Sequence, residues 1–243
     1  MILAIIQARM SSSRLPGKVL KPLHGQPMLG FQLSRVKQSK QVNKWVVATS
    51  TESSDQPIVD FCKTHNIEVF RGSLENVLQR FYLCAKEFRA QHVVRLTGDC
   101  PLTDPSIVDQ VIELHLKHKA DYSSNCHPAT FADGFDVEIM TISALTQAYQ
   151  KASTAQQKEH VTPYLYQTPG FAIHNVNAPE DTSHFRLTVD NMADFDMVST
   201  LINTMQTQGI GSLDYFSIIR FLQQYPELTK INQAFNPAHK DIL

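Results

Sequence analysis

The first chemistry in this chain of 243 residues lies between positions 7 and 18, in Gln7-Ala8-Arg9-Met10-Ser11-Ser12-Ser13-Arg14-Leu15-Pro16-Gly17-Lys18. Arg9, Arg14 and Lys18 can oppose phosphate charge. Ser11, Ser12 and Ser13, with the backbone N–H groups around them, can satisfy the remaining phosphate oxygens. The alternative is a solvated connection that is basic by chance. Two carboxylates could complete such a site. Asp99 lies in Thr97-Gly98-Asp99-Cys100-Pro101 and Asp190 follows Phe185-Arg186-Leu187-Thr188-Val189. Mg²⁺ favours one or two carboxylates supplemented by waters and phosphate oxygens, so Asp99 and Asp190 facing a triphosphate would suit it. Taken singly, an aspartate after a strand also closes turns or caps helices.

The elements that must position these groups read as α/β. Met1–Ile6 is an apolar run that empties into the basic loop. Trp45–Thr49, Ile67–Phe70 and His92–Leu96 read as further strands. Glu75–Ala90 sets Val77, Phe81, Ala85 and Phe88 on one helical face. Asp104-Pro105 opens another helix that runs to about His118, and Asp55 with Pro57 opens the helix before His65. Short strands alternating with such helices predict a mainly parallel sheet sandwiched by helices, Rossmann-like in its layering. In such sheets ligands bind at the carboxyl ends of the strands, where both aspartates and the loop fall. After Asn125 the pattern changes. Phe135–Met140 and Phe171–Asn177 read as strands, Ser143–Ser153 and Lys158–Gln167 as helices. Phe185–Val189 returns as a strand, and Ala193–Gln208 as a helix. The expectation is one domain over residues 1–243, with 125–180 as an insert for the second substrate and a homodimer contact.

Composition narrows the classes. A net charge of −1 without a basic block argues against nucleic acid as a partner. No apolar run approaches the roughly 20 residues that span a bilayer, and Met1–Ile6 is too short for a signal peptide. The expected location is cytoplasmic, and Cys62, Cys84, Cys100 and Cys126 form no C-x-x-C pair. Cys100 reads as a small neutral residue. The histidines lack zinc spacing. Arg95 lies inside a strand and calls for an ion-pair partner. Neither a Walker A motif nor G-x-G-x-x-G is present.

The loop AxxxSSRLPGKxL after a short strand resembles the signature of the sugar cytidylyltransferases, which activate Kdo and sialic acids, and within them the branch named after the spore coat polysaccharide biosynthesis protein F. TGDCPL at Thr97–Leu102 resembles that family's (T/Q)GDxPL segment, whose aspartate binds the metal. Arg186-Leu187-Thr188-Val189-Asp190 resembles R-x-T-V-D, which supplies the second metal aspartate, although Asn191-Met192-Ala193-Asp194 stands where Thr-Pro-Glu-Asp is common. Arg71-Gly72-Ser73, with Val77-Leu78-Gln79-Arg80-Phe81, resembles RGSxxxVLxRF. Asp133–Glu138 and Glu159–Tyr164 resemble DGxDVE and EHVTPY. The likeness covers residues 1 to about 205.

The resemblance implies Mg²⁺-dependent transfer of a cytidylyl group from CTP to a sugar or sugar acid, with release of pyrophosphate. Arg14, Lys18 and Asp99 would be catalytic. Ala8, Arg9, Ser11, Ser12, Ser13, Arg71, Gly72, Ser73, Thr97 and Gly98 would join them around the nucleotide. Asp136, Glu138 and His160 would meet the sugar, and Asp99 and Asp190 the Mg²⁺. A glycosyltransferase using a nucleotide-sugar donor is the alternative. Such enzymes carry D-x-D at a strand end, and the D-x-D here, Asp194-Phe195-Asp196, falls at a helix start. A non-catalytic nucleotide sensor is a third class.

Overall fold

The computed structural model describes residues 1–235; the last eight positions of the expected domain lie outside the described residues. Its central sheet has seven strands: β1 (Ile2–Gln7), β4 (Lys44–Ser50), β5 (Glu68–Gly72), β6 (His92–Thr97), β7 (Tyr122–Ser124), β8 (Glu138–Thr141) and β9 (Ile173–Asn175). They lie in the order β5-β4-β1-β6-β8-β7-β9. The first four run parallel. β8 is antiparallel to β6 and to β7, and β9 is parallel to β7. A small hairpin, β2 (Pro22–Leu23) with β3 (Gln26–Pro27), stands apart.

β1 is central, so both of its faces are buried, which is why Ile2–Ile6 is a continuous apolar run rather than an alternating one. Ala4 and Ile6 face one core, shared with α1 (Met28–Val36), α2 (Gln56–Thr64), α4 (Pro105–His118), α8 (Met192–Thr207) and α9 (Tyr215–Gln224). Leu3 and Ile5 face the other, with α3 (Val77–Glu87), α5 (Ile142–Lys151) and α7 (Pro163–Gln167). The mainly parallel sheet between helical layers is the expected architecture. No helix among the described residues is long and apolar enough to cross a membrane.

Four expectations shift, each for a reason the contacts show. Asp104 caps α4 as expected, accepting from Ser106 N at 2.7 Å. Asp55 does not cap α2. Its carboxylate instead takes Met10 N at 2.7 Å, Thr49 Oγ1 and Ser50 N, which pins the basic loop to the end of β4. Phe185–Val189 is extended but is not a strand of the sheet. Its N–H groups are divided between two loops, Leu187 N to Asp133 O and Val189 N to Asp99 O, with one bridge, Asp133 to Arg186.

The helix expected over Lys158–Gln167 breaks into α6 (Ala155–His160) and α7. Val161 between them has φ 71°, ψ −55°, and Thr162 N returns to His160 O at 2.8 Å. That is a γ-turn of the rare positive-φ kind, held by the buried Val161 side chain. Residues 135–137 pair with the Asn125 side chain rather than with a strand, so β8 starts only at Glu138.

Candidate active site

The basic loop, the turn after β6 and the segment ending at Asp190 meet at the carboxyl edge of the sheet. Each is held there by backbone chemistry. Gly98 N donates to Gln7 O at 2.8 Å, joining the ends of β1 and β6. A Cβ at position 98 would stand 2.9 Å from that carbonyl, so only glycine permits the approach. Gly17 has φ 73° and sends its N–H back to Met10 O, closing the loop and starting the short turn of 3₁₀-helix that carries Lys18. Val189 N on Asp99 O sets Asp190 beside Asp99.

These constraints deliver Lys18 to both aspartates. Its Nζ lies 3.1 Å from Asp99 Oδ2, 3.1 Å from Asp190 Oδ1 and 2.8 Å from Val189 O. The lysine is 8% exposed. Arg14 reaches Asp190 Oδ1 at 3.0 Å from an exposed position. On the other side, Arg186 binds Asp190 Oδ2 at 2.9 Å, Asp133 Oδ2 at 3.0 Å and both oxygens of the fully buried Asp194. Burial pushes the Asp190 carboxyl up, but Lys18, Arg186 and Arg14 outweigh it and hold the group below the usual range. The same cations raise no such demand on Cys100. Its thiol is driven well up, first by burial and then by Asp99, and stays neutral.

Asp99 and Asp190 therefore aim at one point, occupied by an ammonium. Among the described residues no three His, Cys, Asp or Glu side chains form a metal cage. Two convergent carboxylates with room for outside oxygens suit a divalent cation that arrives with phosphate, as Mg²⁺ does.

The edge opens into a cavity of about 450 Å³, within the range of small-molecule sites. Ala8, Arg9, Ser12, Ser13, Arg14, Lys18, Thr97, Gly98, Asp99, Asp190, Asp136 and His160 all line it. Five expected residues do not. Ser11 points to solvent. Arg71 is spent on Ser50 O, Gln56 and Glu52 O. Gly72 gives space to the Arg80 stem. The Ser73 hydroxyl accepts from Asn76 N. Glu138 lies buried beneath the cavity, paired with Arg95 and accepting from Tyr122 Oη at 2.6 Å. Burial raises its pKa, but Arg95, with hydrogen bonds from Tyr122 and Thr162, more than offsets this and keeps it ionised. It pairs with Arg95, the arginine in a strand that called for such a partner.

The cavity also contains residues that the sequence reading did not assign to the site: Arg80, Arg95, Asp133, Glu159 and Thr188. Arg80 and Arg95 sit among apolar residues of a helix and a strand, where the hydrophobic pattern hides them. Gly134 beside Asp133 offered a signal. It has φ 112°, and a Cβ there would meet Leu187 C and Thr188 N at 2.6 Å. Asp194 is enclosed by Arg186, the Asn191 cap and Asn232. The D-x-D of Asp194-Phe195-Asp196 is therefore structural, not a metal site.

A parallel α/β sheet with a basic loop and two acidic turns at one edge is the layout of a nucleotidyltransferase. A cytidylyltransferase structure from Leptospira borgpetersenii superposes with a TM-score of 0.88 at 33% identity, covering 94% of this chain and 96% of that one. A CMP-2-keto-3-deoxy-manno-octonic acid synthetase structure complexed with CTP shares the fold at TM-score 0.65 and 18% identity, covering 84% of this chain and 98% of its own.

Sequence relatives agree. An uncharacterised protein of Methanocaldococcus jannaschii is 37% identical, over 95% of this chain and 94% of its own. The spore coat polysaccharide biosynthesis protein SpsF of Bacillus subtilis is 36% identical, over 82% and 85%. The sequence model of the cytidylyltransferase family matches residues 3–236, and the chain belongs to that family.

Proposed function

We propose that this cytidylyltransferase moves the cytidylyl group of CTP to a sugar or sugar acid and releases pyrophosphate, with Mg²⁺ as its metal. The observation that carries the reading is the convergence of Lys18, Asp99 and Asp190 at the mouth of the basic loop. A triphosphate repels an incoming oxygen, so phosphoryl transfer is mostly positioning and charge stabilisation. Asp99 and Asp190 would hold the metal, which when bound lowers the charge at the α-phosphate. Arg14, exposed at the rim, and Lys18 stabilise the departing pyrophosphate. Ser12 and Ser13 donate hydroxyls along the chain of phosphates. Asp136 and His160 face the same cavity from the side of the 125–180 segment and would orient the acceptor. Arg95, charged and fixed by Glu138, lies on the cavity wall between the two substrates.

The names of the relatives support the substrate class, since one acts in spore coat polysaccharide biosynthesis and another fold relative was solved with CTP. Pyrophosphate release is the test. The protein is incubated with Mg²⁺, each nucleoside triphosphate in turn, and a panel of sugar acids and sugar phosphates. Pyrophosphate that appears with CTP and one acceptor class supports the reading. Turnover only with a nucleotide-sugar donor, with nucleoside diphosphate released, refutes it in favour of a glycosyltransferase.

A further inference from the structure

Asp55 does not line the cavity, yet its carboxylate reaches the main chain of a loop that does. It is fully buried. Burial pushes its carboxyl up, but hydrogen bonds from Met10, Ser50 and Thr49 outweigh this and hold it below the usual range, so it is an anion at neutral pH. A buried carboxylate is costly unless its oxygens are satisfied. Here they are satisfied from two different elements. Oδ2 takes Thr49 Oγ1 and Ser50 N, both at 3.0 Å, at the end of β4. Oδ1 takes Met10 N at 2.7 Å, inside the basic loop.

Little else holds that loop. It leaves the ladder between β1 and β4 at Ala8, whose N–H meets Ala48 O at 3.1 Å. Among the described residues, no backbone group from Arg9 to Pro16 other than Met10 N bonds outside residues 9–18. Met10 O in turn accepts from Gly17 N at 2.9 Å, at the foot of the turn that carries Lys18. The Met10 main chain is therefore a pivot, fixed to the buried anion at one end and to the closure of the loop at the other. A loop that must be ordered when its ligand binds loses affinity to that ordering, and one pinned beforehand does not.

We propose that Asp55 is a positioning residue for phosphate binding: through Met10 it presets the basic loop, and with it Arg14 and Lys18, for a polyphosphate. This rests on the phosphate role given to the loop above. Asparagine separates the two halves of the contact, because an amide accepts on one side only. Two donors meet Oδ2 and one meets Oδ1, so the amide oxygen turns to Thr49 and Ser50, and its NH₂ group faces the Met10 N–H. Asp55→Asn thus keeps the anchor on β4 and releases the loop. Thr49→Val does the reverse, removing a donor from Oδ2 and leaving the Met10 contact.

The experiment measures binding of inorganic pyrophosphate with Mg²⁺ by calorimetry, and thermal melting, for the wild type and both variants. Both variants should melt below the wild type. Thr49→Val should bind pyrophosphate within about twofold of the wild type, and Asp55→Asn about tenfold or more weakly, the equivalent of one hydrogen bond to a charged group. Equal losses in the two variants would make Asp55 a purely structural carboxylate, and unchanged affinity in Asp55→Asn would show that the loop holds itself; either overturns the proposal alone. A wild type that does not bind pyrophosphate overturns the phosphate role of the loop itself. A second alteration tests the contact directly and serves where Asp55→Asn fails to fold. Replacing Met10 by its α-hydroxy acid exchanges the N–H for an ester oxygen and leaves every side chain in place, including the Asp55 charge that acts on the cavity-lining Arg80. The ester should also weaken pyrophosphate binding by about tenfold. Pyrophosphate bound by the ester as tightly as by the wild type overturns the proposal.

Discussion

Replacing Lys18 by Met should produce two effects of opposite sign. Met keeps the length of the buried stem and removes the ammonium. In the structure that ammonium occupies the point shared by Asp99 and Asp190, with two charge-assisted contacts at 3.1 Å and one to a carbonyl at 2.8 Å. Hydrogen bonds to charged groups contribute about 1.5–3 kcal/mol each. The Asp99 side chain is 28% exposed, and Asp190 retains Arg14 and Arg186, so solvent and these neighbours reduce the total. About 2 kcal/mol is then the cost a divalent cation must meet to displace the ammonium, using these values. Removing the competitor should tighten nucleotide-free Mn²⁺ binding by about 30-fold, since ~1.4 kcal/mol is tenfold. Turnover should nevertheless fall by about 100-fold or more, as for loss of one preorganised charge at a transition state. Titration of the protein with Mn²⁺, read by the electron paramagnetic resonance of the free ion, measures the first effect without nucleotide or activity. Unchanged or weaker Mn²⁺ binding in a folded Lys18→Met protein would refute the claim that the lysine and the metal compete for one position.

Three further outcomes follow from other parts of the molecule. His115 is fully buried against His92 and Ser123. Burial first, then His92 and His174, against an opposing pull from Asp121, lower its pKa to about 4. Below about 6.5 the unfolded chain gains a proton that the folded one resists, so this stability is complete above that pH and is lost as pH falls toward 4, by on the order of 3 kcal/mol. Urea unfolding at pH 7.5 and 5 should show a shallower pH dependence for His115→Gln than for the wild type, and equal slopes would refute it. Glu138→Gln leaves the Arg95 cation with the neutral Gln7 Oε1 at 3.2 Å but no charged partner and should cost roughly 3–5 kcal/mol by the same measurement; a loss below about 1 kcal/mol would show that Glu138 is not what compensates the Arg95 charge. Gly134→Ala drives a methyl group into the Leu187–Thr188 peptide at 2.6 Å, and should lower stability by more than about 3 kcal/mol while reducing turnover through Asp190. A thermal melt within experimental error of the wild type would contradict that contact.

Lys18, Asp99 and Asp190 were legible because strand ends and loops expose their chemistry as pattern: an apolar run stops and a charge begins. The parallel sheet was legible for the same reason, from the unbroken run of Ile2–Ile6. Arg95 was legible as an arginine in need of an ion-pair partner, but its place on the cavity wall, like that of Arg80, was not, because periodicity reports which positions are inside and says nothing of a cation that spans from core to cavity. Asp55 had the spacing of a helix cap, yet three donors from Met10, Thr49 and Ser50 outcompete the helix end, and those contacts are set by tertiary approach. The extended stretch before Asp190 has the composition of a strand. Its hydrogen bonds go to Asp99 and Asp133 instead, and no local signal reveals that choice. The break at Val161 is likewise tertiary, since a β-branched residue adopts φ 71° only where packing insists.

Arg186 carries one more implication. Asn232 donates to Arg186 O at 3.1 Å and to Asp194 Oδ1 at 2.9 Å, so a residue near position 232 closes the bracket that holds Asp190. The loop cations precede Asn232 in the chain, so in synthesis they emerge before the residue that closes the bracket. A nascent chain can complete β1, β4, β5 and β6 and still lack a fixed second carboxylate. A chain interrupted between Asp190 and Asn232 would therefore present a basic cleft with its acidic counterpart unsecured.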